Sequence, residues 1–270
     1  MNAFAAHFAF EFRAGVRNRT LLLLNYLFPL GLYLMLGFIL TGLNPFFQEV
    51  IIPGMVVIAV MAAYLLGLPE PLVGAREKGI FRSYKINGVP PSSILSIPSL
   101  TTGVHTLIVA AIITATAPVL FDAPVPVNWL GFLVSLVAII VATAGMAVVI
   151  GVVSSNSRVV ILWSQLVFIP SMLLGGIMIP YGELTPGVAK TSQLLPATQA
   201  MNAFRGLAMG QEADFAPWGS VILLLLSGVL AFVLAIYLFS WDSRNTTRRG
   251  HPLLGLLALV PYAAGIFLLA

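Results

Sequence analysis

Apolar residues fill this chain in long runs, and polar residues gather in the short gaps between them. A helix that crosses a bilayer needs roughly 20 such residues. Six runs reach that length, over about 21–42, 51–73, 97–120, 129–153, 159–180 and 217–240. A seventh, over 252–269, is shorter and carries Pro252 and Pro261. The first run continues from Leu21 to Leu43, longer than the roughly 7–15 residues of a signal-peptide core, and is expected to stay as a span. The pattern therefore predicts an all-α membrane protein, a six-helix transmembrane bundle with an extra seventh span at the C-terminus.

Two of the gaps have patterns of their own. Before the first span, over 3–18, Phe4, Phe8 and Phe12 fall on one helical stripe and Arg13 and Arg17 opposite, with Glu11 near the stripe. That predicts an amphipathic helix in the membrane interface. The segment 181–216 is too long and too patterned for a loop. Thr185-Pro186 reads as a helix cap followed by proline at the first helical position. Thr198 is expected to cap a second short helix, in which Ala200, Met201, Phe204, Leu207 and Ala208 repeat at helical spacing and Gly210 stands as the stop. Pro180, Pro186 and Pro196 punctuate it. Such helices are expected to dip back into the bilayer as re-entrant helices, or to lid the outer mouth of a pathway.

Composition agrees with the runs. Hydrophobic residues make up 59% and charged ones 8%, against roughly 25% charged in a soluble domain; the mean hydropathy is +1.02. The net charge of +4 is a loop bias rather than a sign of nucleic-acid binding. With the N-terminus in the cytoplasm, the inner gaps hold Arg13, Arg17, Arg19, Arg76, Lys78, Arg82, Lys85, Arg158, Arg244, Arg248 and Arg249, and the outer ones only Lys190 and Arg205. Glu49, Asp122, Glu183, Glu212 and Asp214 also lie outside, which is the positive-inside pattern. The absence of cysteine removes disulfides and thiolate chemistry.

Enzymatic motifs are missing. A phosphate-binding loop needs glycine before its lysine, and the three lysines follow Glu77, Tyr84 and Ala189. There is no H-E-x-x-H pair and no G-x-S-x-G elbow, and His7, His105 and His251 lie far apart. No metal site is expected. Glu70, within Pro69-Glu70-Pro71 at the inner end of the second span, reads as a water-exposed interfacial carboxylate or as one facing a gate. His105 reads as a histidine bonded within the bundle, since no carboxylate accompanies it for a proton relay. Ion-coupled transport would need midplane carboxylates, which the spans lack.

What remains conspicuous is the gap after the second span, where Arg76, Glu77, Lys78, Arg82 and Lys85 crowd ten positions among aromatics and end at Gly88-Val89-Pro90-Pro91. That mixture suits a docking surface. The run "REKGIFRSYKINGVPPSSIL" resembles the corresponding segment of ABC-2 type permeases, the membrane subunits of type V (ABCG-like) ATP-binding-cassette exporters. "GGIMIPYGELTPGVAKTSQLLPATQAMNAFRGLAMG" is similar to the family's outer block, and "GVVSSNSRVVILWSQL" to its short inner loop. The resemblance covers about residues 5–243.

It implies a transmembrane domain over 1–243 and an added basic linker and helix over 244–270. Segment 3–18 would be the family's connecting helix. Arg76, Glu77, Lys78, Gly79, Phe81 and Arg82 would form a coupling helix against an ATP-binding subunit, with Ser155, Asn156 and Arg158 as a second contact. Pro180, Pro196 and Arg205 would belong to the re-entrant extracellular gate. Substrate would pass between two paired permeases, lined by Asn25, Tyr33, Tyr64, Gln165, Phe168 and Met172. ATP and Mg would enter through two copies of the partner, with no cofactor on this chain. The host membrane would be the cytoplasmic membrane of a prokaryote, and the cargo an amphipathic drug, antibiotic, lipid or glycan. Two departures are the extra C-terminal segment and the run Tyr84-Lys85-Ile86-Asn87. From the residues alone, a secondary transporter or channel, or a membrane scaffold, stays open as an alternative.

Overall fold

The computed structural model describes residues 3–242 and 250–268, with side chains from Phe8 onward. The basic residues Arg244, Arg248 and Arg249 and the side chain of Phe4 lie outside the described residues. Helices account for nearly every element. Helix α1 runs Ala3–Arg17, and Asn18 then starts the first span by accepting from the Thr20 and Leu21 amides through its side chain. The span comprises α2 (Arg19–Leu22), a π-helical turn (Leu23–Leu27) and α3 (Phe28–Leu40). The second span comprises α4 (Pro45–Met61) and a second π-helical turn (Ala62–Leu66). After a break at Gly67 and Leu68 it resumes as α5 (Pro69–Glu77), which turns into the short helix α6 (Ile80–Ile86).

Helix α7 (Pro91–Phe121) begins well before the expected 97–120, because Pro91 fits the first helical position and the polar Ser92 and Ser93 continue the helix rather than delay it. Helices α8 (Trp129–Val153) and α9 (Ser157–Leu174) form the fourth and fifth spans. The pair α10 (Pro186–Ser192) and α11 (Pro196–Ala203, continued by a π-helical turn Phe204–Ala208) follows, then α12 (Pro217–Leu238). Six helices are long and apolar enough to cross a membrane.

Burial orders these spans. The second is almost wholly buried, whereas the first and fifth expose most of their apolar surface. The tightest pairing is α8 on α12, where glycines bring two backbones together. A Cβ added at Gly145 would lie 2.2 Å from the Gly228 carbonyl oxygen, and one at Gly228 would lie 2.4 Å from the Val141 carbonyl oxygen. Small residues at such crossings are how helices pack when lipid supplies no hydrophobic drive.

The C-terminal segment departs from the α-helical span expected over 252–269. Pro252–Leu259 is a 3₁₀ helix and Val260–Leu268 is α13, and the two together fall short of the length that defines the other spans. Pro261 has no amide hydrogen to bond the Leu257 carbonyl; the Val260 amide bonds it instead, across the tighter turn. The wider rise of that turn stretches the segment to about 30 Å, the thickness of a hydrocarbon core. It runs antiparallel to α12: the Ser227 hydroxyl donates to the Ala258 carbonyl at 2.8 Å, and Gly265 packs on Leu223. An apolar cavity of about 280 Å³ separates it from α9 and the turn before α11.

Candidate functional site

One end of the bundle gathers the cations. Helices α5 and α6, the turn between α8 and α9, and α1 meet there. The elbow between α5 and α6 is built by Gly79, whose φ of +73° is the left-handed conformation that side chains resist. Gly88, with φ +72°, closes α6 in the same way before Pro90 and Pro91 start α7.

The sequence-expected docking residues divide once placed. Glu77, Lys78 and Arg82 are exposed. Arg76 is not; it is 7% exposed, and its guanidinium donates to the Val152 carbonyl at 2.8 Å and to the Ser154 carbonyl. These carbonyls close the C-terminal end of α8, where a cation is favoured by the unpaired acceptors and the helix dipole. Arg76 is therefore a clamp between the second and fourth spans rather than a surface contact. Phe81 is also buried, against Phe239 at 5.2 Å between ring centroids and against Tyr84. It anchors α6 to the foot of α12. Arg82 pairs with Asp242, which holds its pKa above the usual value. Burial pushes the Tyr84 phenol up, and the neighbouring Glu11 carboxylate of α1 adds to it.

With Arg76 and Phe81 turned inward, the exposed face is Glu77, Lys78, Ile80, Arg82, Lys85 and Ile86, the last 86% exposed. Ile80 and Ile86 are apolar residues in an end region dominated by charge, and sequence pattern alone did not single them out. Ser155, Asn156 and Arg158 are exposed beside this elbow. Asn156 caps α9 through its side-chain oxygen, and the Ser157 hydroxyl reaches Glu70 of α5 at 3.5 Å. Glu70 is exposed in the first turn of α5, as an interfacial residue should be.

The opposite end is closed by α10 and α11. All eight residues of α11 are buried, so this helix enters the bundle. Pro196 occupies its first position, with Leu195 before it; Thr198 is inside the helix and does not cap it. Thr185 does stand before Pro186 of α10, without a side-chain cap bond. Gly210, with φ +65°, ends the π-helical turn as expected. Asn202 holds the following segment, donating to the Phe215 carbonyl and the Ser220 hydroxyl and accepting from the Asp214 and Phe215 amides. Arg205 bonds Asp214 at 2.6 Å, yet burial of Asp214 prevails and holds its carboxyl above the ordinary value. Pro180 opens a short 3₁₀ turn at the edge of this cap.

The residues expected to line a path do not share one surface. Tyr33 and Tyr64 are 1% exposed and brace spans: Tyr33 bonds Thr116 at 2.9 Å, and Tyr64 donates to the Ser99 carbonyl at 2.7 Å. Phe168 is buried against Phe28, while Gln165 and Met172 are half-buried on α9. Asn25 is buried in the first π-helical turn. His105 bonds Tyr26 through Nδ1 at 2.6 Å and stacks under Phe12, which seats the α1 stripe against α7. No cluster of metal-ligand residues occurs among the described residues.

A bundle of apolar spans with charges at its ends and a short buried helix at one mouth defines a multi-pass membrane protein. Its sequence matches the ABC-2 type transporter family over residues 2–209, and the chain belongs to that family. It is thus a permease component of an ABC transporter, of a kind that works with an ATP-binding partner. No curated protein and no solved structure matches the chain.

Proposed function

We propose that this chain is the permease half of an ATP-driven exporter, and that the face formed by Glu77, Lys78, Ile80, Arg82, Lys85 and Ile86 receives its ATP-binding subunit. The observation that carries this reading is the α5–α6 elbow, a surface of charged and apolar residues that continues the most buried span of a family member. Ser155, Asn156 and Arg158 give a second, smaller contact on the same side. The basic end faces the cytoplasm, by the positive-inside bias, in the cytoplasmic membrane of a prokaryote.

Two copies of the ATP-binding subunit supply ATP and Mg. Two permeases, identical or homologous, pair through the exposed faces of the first and fifth spans, which flank the buried second span. Gln165 and Met172 are half-buried on the fifth span. Closure of the ATPases moves α6, and Arg76 and Phe81 transmit the motion to α8 and α12 through the contacts described above. The transporter then exchanges between inward- and outward-open states. The cargo is an amphipathic molecule that leaves the bilayer's inner side.

Co-purification tests the reading. The chain carrying Glu77→Ala, Lys78→Ala and Ile86→Ala is purified from its own membranes beside the parent. An ATPase that accompanies the parent and is lost from the variant, with the variant's melting point unchanged, is the expected result. An ATPase retained equally by both, or no ATPase even after crosslinking, would sink it. Phe81→Ala is unsuitable here because Phe81 is buried and its loss would disturb the fold.

A further inference from the structure

The apolar cavity of about 280 Å³ beside the C-terminal segment has no part in the transport reading, and that segment lies beyond the residues 2–209 that carry the family match. Its lining residues are apolar throughout, and the Trp163 indole brings the one polar side-chain atom among them. Apolar cavities exclude water and accept apolar guests. Two seams fix the 3₁₀ helix and leave it clear of α9. Gly255 rides on α8, where an added Cβ would lie 2.8 Å from Val149 Cγ1, and the Ala258 carbonyl accepts from the Ser227 hydroxyl of α12.

The cavity has the depth of one leaflet. Its α8 wall runs from Val153, at the basic end beside the Arg76 clamp, back to Met146. Its other long wall is the 3₁₀ helix, from Pro252 to Leu259. These walls are about 10 Å of α-helix and about 14 Å of 3₁₀ helix, against roughly 15 Å for half of a hydrocarbon core. The far end is closed from the opposite mouth. Helix α11 descends along α8 from Phe204, which packs on Phe132 at 5.2 Å between ring centroids, to Pro196, which lines the cavity together with Met146. Leu194 and Leu195 complete that roof.

The side toward the bilayer is open. Leu166 of α9 and Leu253 and Leu256 of the 3₁₀ helix line the cavity and are nonetheless 61%, 56% and 49% exposed. At this depth the medium that meets an exposed leucine is hydrocarbon. A dry cavity of about 150 Å³ takes one benzene ring, so this volume holds roughly ten chain carbons. Lining, depth and side entrance therefore agree on one occupant. We propose that the cavity binds one acyl chain of a phospholipid from the leaflet at the basic end, which enters between α9 and the 3₁₀ helix and reaches the turn 194–196. The bound chain fills the wedge that the two seams leave, and braces the C-terminal segment against α9.

The full chain, without any ATPase, is released from phosphatidylcholine nanodiscs and stripped of loosely held lipid by collision in native mass spectrometry. The measurement stands or falls separately from the transport reading. One phosphatidylcholine per chain is expected to survive, and Ala258→Phe, which fills the cavity, should lower the lipid-bound fraction at least tenfold. The second measurement uses a chain with Trp129→Phe, Trp218→Phe and Trp241→Phe, which keeps Trp163 as its fluorophore. In maltoside micelles, phosphatidylcholine brominated in its chains should quench Trp163 saturably, at one lipid per chain. No retained lipid, equal retention by a folded Ala258→Phe protein, or quenching that grows with lipid without saturating would overturn the proposal. Lipid held by monomers and lost from dimers would give the mouth to a second copy and overturn it as well. Should Ala258→Phe fail to fold, the quenching titration decides.

Discussion

Arg76→Ala separates a clamp from a docking residue. In the parent, its guanidinium makes hydrogen bonds to the Val152 and Ser154 carbonyls at the end of α8. A hydrogen bond to a charged group contributes about 1.5–3 kcal/mol, and an orphaned buried acceptor costs about 1–3 kcal/mol. Part of that loss is recovered because these carbonyls lie at a helix end, within reach of interfacial water. The net expectation is a loss of roughly 3 kcal/mol. At about 2–4 °C per kcal/mol for a chain of this size, the melting point should fall by roughly 6–12 °C. Lysine at this position keeps the charge but reaches one carbonyl at a time, and should recover about half of the loss. Tryptophan-fluorescence melting in detergent is the assay. Arg82→Ala is the contrast, because Arg82 is exposed and its pair with the half-buried Asp242 should contribute no more than about 1 kcal/mol. A melting point within about 2 °C of the parent for Arg76→Ala would refute the clamp and return Arg76 to the docking face.

Other perturbations follow from the same geometry. Gly228→Ala forces α8 and α12 apart, since its Cβ would sit 2.4 Å from the Val141 carbonyl oxygen; a loss of about 2–3 kcal/mol is expected in size-exclusion melting. Combining it with Gly145→Ala should cost less than the sum, because both relieve one crossing. Asn202→Ala strips four hydrogen bonds from the segment after α11, and should cost about 3 kcal/mol and speed proteolysis near Phe215. Asp214 is held above its ordinary pKa chiefly by burial. Its protonated form is thus favoured in the fold, so its contribution is greatest below the unfolded value and is lost as pH rises through the folded one. Asp214→Asn should flatten the dependence of melting point on pH across that acidic window, and an unchanged slope would discount the burial of Asp214.

The length and spacing of the apolar runs made the six spans readable, because a bilayer imposes a minimum length that soluble folding does not. Proline at Pro186 and Pro196 and glycine at Gly210 marked the short helices at the far mouth. Two boundaries shifted where local chemistry was misjudged. Thr198 looked like a cap, but Pro196 can start a helix itself and Leu195 precedes it without a capping side chain. The C-terminal segment was read as an α-helix, although Pro261 removes one of the donors that an α-helix there would need.

The docking elbow was legible as a cluster and illegible as a surface. Charge counting cannot tell which cation turns inward, and Arg76 turns inward because α8 ends beside it with bare carbonyls. That juxtaposition joins residues far apart in sequence and leaves no local pattern. The π-helical turns are hidden for a related reason. Each adds a residue to a helix that is apolar at nearly every position, so no hydrophobic stripe slips to betray it. The polar groups within the pair are Asn25 and Tyr26 in the first turn and Tyr64 in the second. None is unusual alone. An unpaired polar atom inside a span is costly in a membrane, and that cost, rather than any motif, is what singles out Asn25, whose buried side-chain oxygen has no hydrogen-bond partner among the described residues.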